Sequence, residues 1–163
     1  MWSQMVINQA VRTDIDNAVL CWLASVDADG MPNVSPKEIF APLGDERLVI
    51  ADIASPRSVA NLRAHPKVCV SFVDVFRQRG FKLYGTARIG LPDAPDFQEG
   101  AALLASIAGP DFPIRHVIEV TVSKINRIWA PSYGLFPDRS EDERMQAAYA
   151  AYGVHPRGEN LDR

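Results

Sequence analysis

The segment 48–72 constrains the fold more than any other part of the chain. Apolar, β-favouring runs at its two ends predict strands at 48–53 and 68–72. The residues between them predict a tight turn followed by a short helix at 57–64. The segment is therefore expected to form a strand–turn–helix–strand unit, around which the other elements are arranged.

The turn before this helix has the residues of an anion-binding site. Ser55 suits the N-cap position, and Pro56 suits the first helical position because its missing N–H would have no partner there. The free N–H groups and the dipole of a helix N-terminus favour negative charge, and Arg57 and Ser58 add a guanidinium and a hydroxyl. The turn is a candidate phosphate site. The alternative is an ordinary capped helix with a solvated Arg57.

Further strands and helices are predicted along the rest of the chain. Six strands are predicted in total: the strand at 48–53 and five more at 19–26, 33–41, 68–75, 81–89 and 114–129. Helices are predicted at 3–11, from 92–95 to about 108, and at 141–152 with Ser140 as N-cap. Gly85 lies in the middle of a strand and predicts a bulge or a sharp bend. Because the first connections are too short for crossover helices, we expect an α+β, mainly antiparallel fold with a closed or partly closed barrel.

Charge and composition exclude several classes of protein. The net charge is −3 and the Lys and Arg residues are scattered, which argues against a nucleic-acid binder. No apolar run reaches the ~18 residues that span a membrane, and the first residues lack the pattern of a signal peptide. Cys21 and Cys69 lie in apolar runs and are expected to be buried free thiols. These features predict a cytoplasmic protein with no membrane partner.

The sequence has none of the common catalytic or metal-binding motifs. Its three histidines have no metal-like spacing, and His116 is interpreted as a satisfied barrel residue. Asp52 could accept a hydrogen bond from a ligand at the end of its strand or could cap the turn. No metal site is predicted, and no catalytic acid or base is assigned.

Ser35, Pro36 and Lys37 form an unusual group within a predicted strand. Proline is disfavoured in a strand interior because it cannot donate to the ladder, so Pro36 marks an edge, a bulge or a free stretch of backbone. Lys37 adds a cation beside it. A protected edge strand is one interpretation. The functional interpretation is that the backbone and Lys37 contact a planar, electron-accepting ligand.

These pieces, in this order, resemble the pyridoxamine 5′-phosphate oxidase-like flavoproteins that have an FMN-binding split barrel. The similar segments are CWLASVDADGMPNVSPKEIF, LVIADIASPRSVANLRAHPKVCVSF, GFKLYGTARI and HVIEVTVSKINRIW, within about residues 15–130. The resemblance implies a six-stranded antiparallel split β-barrel with flanking short helices. It also implies a homodimer with FMN in a groove at the interface.

The resemblance assigns cofactor-binding roles residue by residue. The second strand would lie along the isoalloxazine ring and ribityl chain, the end of the third strand would lie near the ribityl chain and phosphate, and the Ser-Pro-Arg-Ser turn would hold the phosphate. The residues implied are Asn33, Val34, Ser35, Pro36, Lys37, Ala51, Asp52, Ser55, Arg57 and Ser58.

The chain also departs from the true oxidase. Its last part, 131–163, is predicted to be a loop and a helix packed on the barrel (1–130) or on the dimer partner, and it lacks the Arg- and aromatic-rich segment that closes over the pyridoxal ring. The phosphate turn of the true oxidase has an Arg-Lys pair, whereas this chain has Arg57-Ser58 there and so has one positive charge fewer. The chain resembles a short member of the family, and an FMN-dependent oxidoreductase is the first hypothesis. A substrate is not assigned, and NAD(P)H is one candidate electron donor. A flavin-binding protein without catalytic activity and a binder of deazaflavin or haem are the alternatives.

Overall fold

The computed structural model describes residues 6–156, which form an antiparallel sheet with short helices. The strands are β1 (Cys21–Val26), β2 (Pro32–Lys37), β3 (Phe40–Leu43), β4 (Arg47–Asp52), β5 (Lys67–Asp74), β6 (Arg79–Gly90) and β7 (His116–Trp129). The helices are α1 (Gln9–Asn17), α2 (Pro56–Ala64), α3 (Gln98–Ala108), α4 (Ser132–Leu135) and α5 (Glu141–Tyr152), with a 3₁₀ turn at Pro95–Phe97 before α3.

The sheet has seven strands, so the prediction of six is wrong in number, although the split-barrel class fits. The order is β2-β1-β5-β6-β7-β4-β3, and every described pair is antiparallel. The predicted strand at 33–41 is divided: β2 pairs with β1 as far as Lys37, and β3 pairs with β4 from Phe40. The chain thus passes from one edge of the sheet to the other through Glu38 and Ile39.

One large apolar cluster fills the concave side of the sheet. Leu23, Val70 and Leu83 are among its fully buried members, and they alternate with more exposed residues along β1, β5 and β6 as expected for a half-buried sheet. A second cluster lies beneath α3, where Leu104 packs near residues of β3, β4 and β7.

The first helix differs from the predicted helix at 3–11. Residues 3–5 lie outside the described part of the chain, and α1 begins only at Gln9. Asn8 is its N-cap, and the Asn8 side chain accepts a hydrogen bond from the Val11 N–H at 3.1 Å. This cap starts the helix later than apolar spacing alone suggests.

Gly85 lies at a bulge, which confirms the prediction made for it. The pairing of β6 with β7 changes register between Tyr84 and Gly85. A Cβ at this glycine would lie 2.2 Å from the carbonyl oxygen of Thr121. The close approach of the two backbones therefore excludes any side chain at this position.

The C-terminal helix packs on the turn between β5 and β6. Its N-terminus has a capping box, in which the Ser140 hydroxyl accepts from the Glu143 N–H and the Glu143 carboxylate accepts from the Ser140 N–H. Tyr149 packs against Phe76 with ring centroids 5.0 Å apart. The helix is thus attached to the barrel of its own chain.

A charged group also anchors this helix. The Glu141 carboxylate accepts hydrogen bonds from Arg77 and Arg79, both at 2.7 Å. Arg79 also forms an ion pair with the buried carboxylate of Asp14 in α1 at 3.2 Å, and Arg127 pairs with the same carboxylate at 3.1 Å. The ion pairs link α1, α5 and two central strands.

We expect Glu141→Gln to reduce the stability of the fold in a pH-dependent way. The hydrogen bond from Arg77, followed by the charges of both arginines, lowers the pKa of Glu141 below its usual value. A carboxylate whose pKa is lowered by folding stabilises the native state above its unfolded pKa, about 4.3, and loses this effect as pH falls through the folded value. Because Glu141 is 44% exposed, the loss at pH 7 should be about 1 kcal/mol or less.

Urea unfolding of both proteins from pH 7 to pH 3 tests this expectation. The difference in unfolding free energy should be constant above about pH 5 and should shrink below it. Asp142→Asn, one position along the same helix, is the control. If the difference in unfolding free energy between the wild type and Glu141→Gln stayed the same down to pH 3, the ionic contribution of Glu141 would be contradicted.

Both cysteines are free thiols; Cys21 is fully buried in β1, whereas Cys69 in β5 is only partly buried, so the expectation of burial is wrong for Cys69. Burial raises the pKa of the Cys21 thiol to about 12 and also raises the pKa of Cys69. Both thiols therefore stay protonated at neutral pH. Within residues 6–156, no helix is both long and apolar enough to cross a membrane.

Candidate functional site

The cavity that is lined by the most sequence-predicted site residues (the main cavity) lies where the chain crosses from β2 to β3. It has a volume of about 400 Å³ and is open to solvent on one side. Three elements surround it: the segment 36–39, the end of β4 with the following turn, and the end of α3. The lining residues are Pro36, Lys37, Glu38, Ile39, Ala51, Ile53, Ala54, Ser55, Ile107, Ala108 and Phe112.

Lys37 is the main charged feature of this cavity. It is the last residue of β2 and is only 5% exposed. Its ammonium group donates a hydrogen bond to the Ser55 hydroxyl. Burial lowers the pKa of Lys37 from its usual value, while the negative charge of Asp52 partly opposes this shift. A largely desolvated cation at a cavity wall interacts strongly with any negative charge that enters.

Asp52 holds the turn that follows β4. One oxygen of its buried carboxylate accepts the Ser55 N–H at 2.9 Å, and the other lies 2.8 Å from Nδ1 of His116. Asp52 and His116 face each other in the β4–β7 ladder. Asp52 therefore caps the turn, which was one of its two interpretations, and His116 has a partner as expected.

Ser55 occupies the predicted N-cap position of α2, but its side chain does not cap the helix. No cap hydrogen bond is made by its hydroxyl, which accepts from Lys37 instead. Its N–H is held by Asp52, so a continuous chain of hydrogen bonds runs from Lys37 through Ser55 and Asp52 to His116. This network fixes the turn from the side of the sheet.

The ten sequence-predicted residues divide into three groups. Pro36, Lys37, Ala51 and Ser55 line the main cavity. Asp52 lies behind them, buried at 2% exposure. The others line none of the described cavities: they lie earlier on β2 (Asn33, Val34 and Ser35) or in the first turn of α2 (Arg57, exposed, and Ser58, buried).

The wall formed by α3 was not anticipated. Ile107 and Ala108 end the helix, and Phe112 follows in the next loop, with Ile107 and Phe112 about half exposed. The sequence marks the end of the helix at Gly109-Pro110, but no local pattern shows that this end faces the crossover between β2 and β3. Only the packing of α3 on β3 and β4 brings it there.

The residues of the main cavity are compatible with an anionic cofactor such as a flavin mononucleotide. The cavity volume lies within the usual range for small-molecule sites, and apolar walls meet a few polar groups, as such sites require. Lys37 and the Ser55 hydroxyl suit an anionic or hydrogen-bonding cofactor. None of the lining residues is a histidine or cysteine, so this wall offers no such axial ligand for haem iron.

The strand order, the crossover and the cavity define a split-barrel protein. The family model for pyridoxamine 5′-phosphate oxidase matches residues 7–129. The chain therefore belongs to the pyridoxamine 5′-phosphate oxidase family, which confirms the resemblance noted in the sequence. No curated protein matches the chain.

Solved structures share this fold. HupZ of Group A Streptococcus is 26% identical, with 76% of this chain and 95% of that chain covered and a TM-score of 0.65. An FMN-binding protein from Syntrophomonas wolfei subsp. wolfei is 19% identical, with 74% and 84% covered and a TM-score of 0.62. An F420 reductase is 24% identical, with 73% and 98% covered and a TM-score of 0.56. The last two show likeness of fold alone.

Proposed function

We propose that this protein binds FMN in the main cavity and acts as a flavin-dependent oxidoreductase. The observation that carries the proposal is Lys37, a buried ammonium group at the wall of an otherwise largely apolar cavity. The hydrogen-bond partner of this ammonium group, Ser55, is neutral, so a negative charge that enters the cavity would interact strongly with it. Membership of the pyridoxamine 5′-phosphate oxidase family supports the same cofactor.

Each part of the site has a role in this proposal. FMN, when bound, supplies the hydride or electron chemistry. Lys37 provides a fixed positive charge that stabilises negative charge on the cofactor. The phosphate extends out of the main cavity at Ser55 to the first turn of α2, where the exposed Arg57 binds it, while Ile107 and Phe112 shield the cavity from water.

We also propose that two copies of the chain share the site. β2 is an edge strand, and Val34 on it is 58% exposed. Trp22 on the neighbouring β1 is 46% exposed. Exposed apolar side chains on adjacent strands favour an interface, and Asn33, Val34 and Ser35 would then contact cofactor there. Light scattering after size-exclusion chromatography should give the mass of a dimer, and a monomer that retained FMN would contradict a shared site.

The experiment that tests the function is an FMN titration followed by absorbance and flavin fluorescence. The wild type should bind FMN, and Arg57→Ala should bind at least about tenfold more weakly, because a charge-assisted contact to the phosphate is lost. Riboflavin, which lacks the phosphate, is the control and should bind both proteins equally. A protein that gains no flavin would contradict the proposal.

Oxidation of NADH or NADPH by the FMN-loaded protein then separates an enzyme from a passive carrier. Turnover of either nucleotide would support oxidoreductase activity with a pyridine nucleotide as electron donor. Tight FMN binding without turnover of either would contradict that donor and favour a flavin-binding protein that exchanges electrons with another partner.

A further inference from the structure

A second cavity lies on the other side of the turn after β4. It occupies about 260 Å³ between α2 and the start of β7. This volume is many times that needed for one water molecule, so it accommodates an ion of several heavy atoms. Ser55 is the only lining residue that it shares with the main cavity. Its lining residues are Asp52, Ser55, Pro56, Val59, Ala60, Arg63, Arg115 and His116.

The charges around this second cavity are predominantly positive. Arg63 and Arg115 are both exposed, and neither has an ion-pair partner or an aromatic ring contact among residues 6–156. Apart from these two and Arg57, every arginine among residues 6–156 has either an ion-pair partner or an aromatic ring contact. The uncompensated guanidinium groups are thus concentrated on α2 and just before β7, in a protein whose net charge is negative.

The single acidic residue that lines the second cavity does not cancel this positive charge. The Asp52 side chain is 3% exposed, and both of its oxygens already have partners, the Ser55 N–H and Nδ1 of His116. The His116 ring, which contacts this carboxylate, is 25% exposed and is therefore more accessible to solvent. An entering anion would therefore meet Arg63, Arg115 and the imidazole before it met the carboxylate.

We propose that the second cavity is a separate anion site, which takes a phosphate or carboxylate group of a small molecule other than the cofactor. Planar guanidinium groups bind the oxygens of either group through paired N–H donors. The chemistry of the ligand is that of a small phosphorylated or carboxylated metabolite. The site borders the proposed phosphate turn through Ser55 and Pro56, but its guanidinium groups are those of Arg63 and Arg115, and Arg57 does not line it. The proposal holds whichever cofactor the main cavity binds.

The test is a titration of the full chain with inorganic phosphate at constant ionic strength, followed by NMR of the histidine side chains. His116→Gln identifies the His116 resonance, and His155, which does not line the cavity, is the internal reference. We expect the His116 resonance to shift saturably, both in the cofactor-free protein and after saturation with FMN. Arg63→Ala combined with Arg115→Ala should weaken phosphate binding at least about tenfold. Arg139→Ala, a matched arginine of the C-terminal segment, should leave it unchanged.

Three results would overturn the proposal. If FMN abolishes the phosphate response, the site belongs to the phosphate of the cofactor. If the double arginine variant binds phosphate as the wild type does, or if His116 never responds, the second cavity is not an anion site. Since the FMN titration is a separate measurement, failure of this proposal would leave the assignment of the main cavity intact.

Discussion

Lys37→Met is expected to weaken FMN binding by one to two orders of magnitude, because a charge-assisted contact of about 1.5–3 kcal/mol is lost. Methionine retains the apolar stem of the side chain and removes only the ammonium group. The variant removes the desolvation penalty of a buried cation but also loses the hydrogen bond to Ser55, so its thermal stability should stay within about 1 kcal/mol of the wild type. Fluorescence titration with FMN measures the affinity, and thermal unfolding measures the stability.

Lys67→Met is the matched control for this variant. Lys67 begins β5 and is exposed, so the same substitution there removes a charge without touching the main cavity. The Lys67→Met variant should bind FMN with the affinity of the wild type. If Lys37→Met and Lys67→Met bound FMN with the same affinity, Lys37 would have no role in the site.

Gly85→Ala is expected to lower the free energy of unfolding by about 3 kcal/mol. The new Cβ would lie 2.2 Å from the Thr121 carbonyl oxygen and 2.9 Å from a methyl carbon of Val120. Backbone cannot move aside as a flexible side chain can, so β6 and β7 would have to separate. Urea unfolding, followed by circular dichroism, measures the change in free energy.

Gly134→Ala provides the control for a glycine substitution without crowding. Gly134 lies in α4, and a Cβ there would have no neighbour within 4 Å. Alanine also favours helix over glycine, so the stability should stay the same or rise slightly. An unfolding midpoint for Gly85→Ala equal to that of the wild type would contradict the close approach of the two strands.

Local sequence patterns predicted most of the elements correctly. The boundaries of α5, its cap at Ser140 and the bulge at Gly85 follow from short-range chemistry that leaves a clear signature. The division of one predicted strand into β2 and β3 left no such signature. Residues 33–41 are extended throughout, and only the pairing with β1 and then with β4 separates the two strands.

The candidate site was predictable only in part for the same reason. Lys37 and Ser55 could be selected from the sequence because each lies next to an informative proline. Lys37 is a cation that follows a proline within a strand, and Ser55 precedes the proline that begins a helix. Their hydrogen bond to each other, and the partnership of Asp52 with His116, depend on strand pairing across the sheet. The arginines of the second cavity are distant in sequence and only tertiary structure brings them together.

The passage of the chain from β2 to β3 also determines how the barrel can respond to a ligand. The two edge strands are joined covalently through Glu38 and Ile39, whereas the described ladders pair each of them only with a neighbour on its other side. Across this seam, the Ile39 carbonyl accepts a hydrogen bond from the Ala51 N–H at 2.9 Å and Lys37 donates one to Ser55. The main cavity lies on this seam, so its width depends on these few contacts rather than on a ladder between the two edge strands.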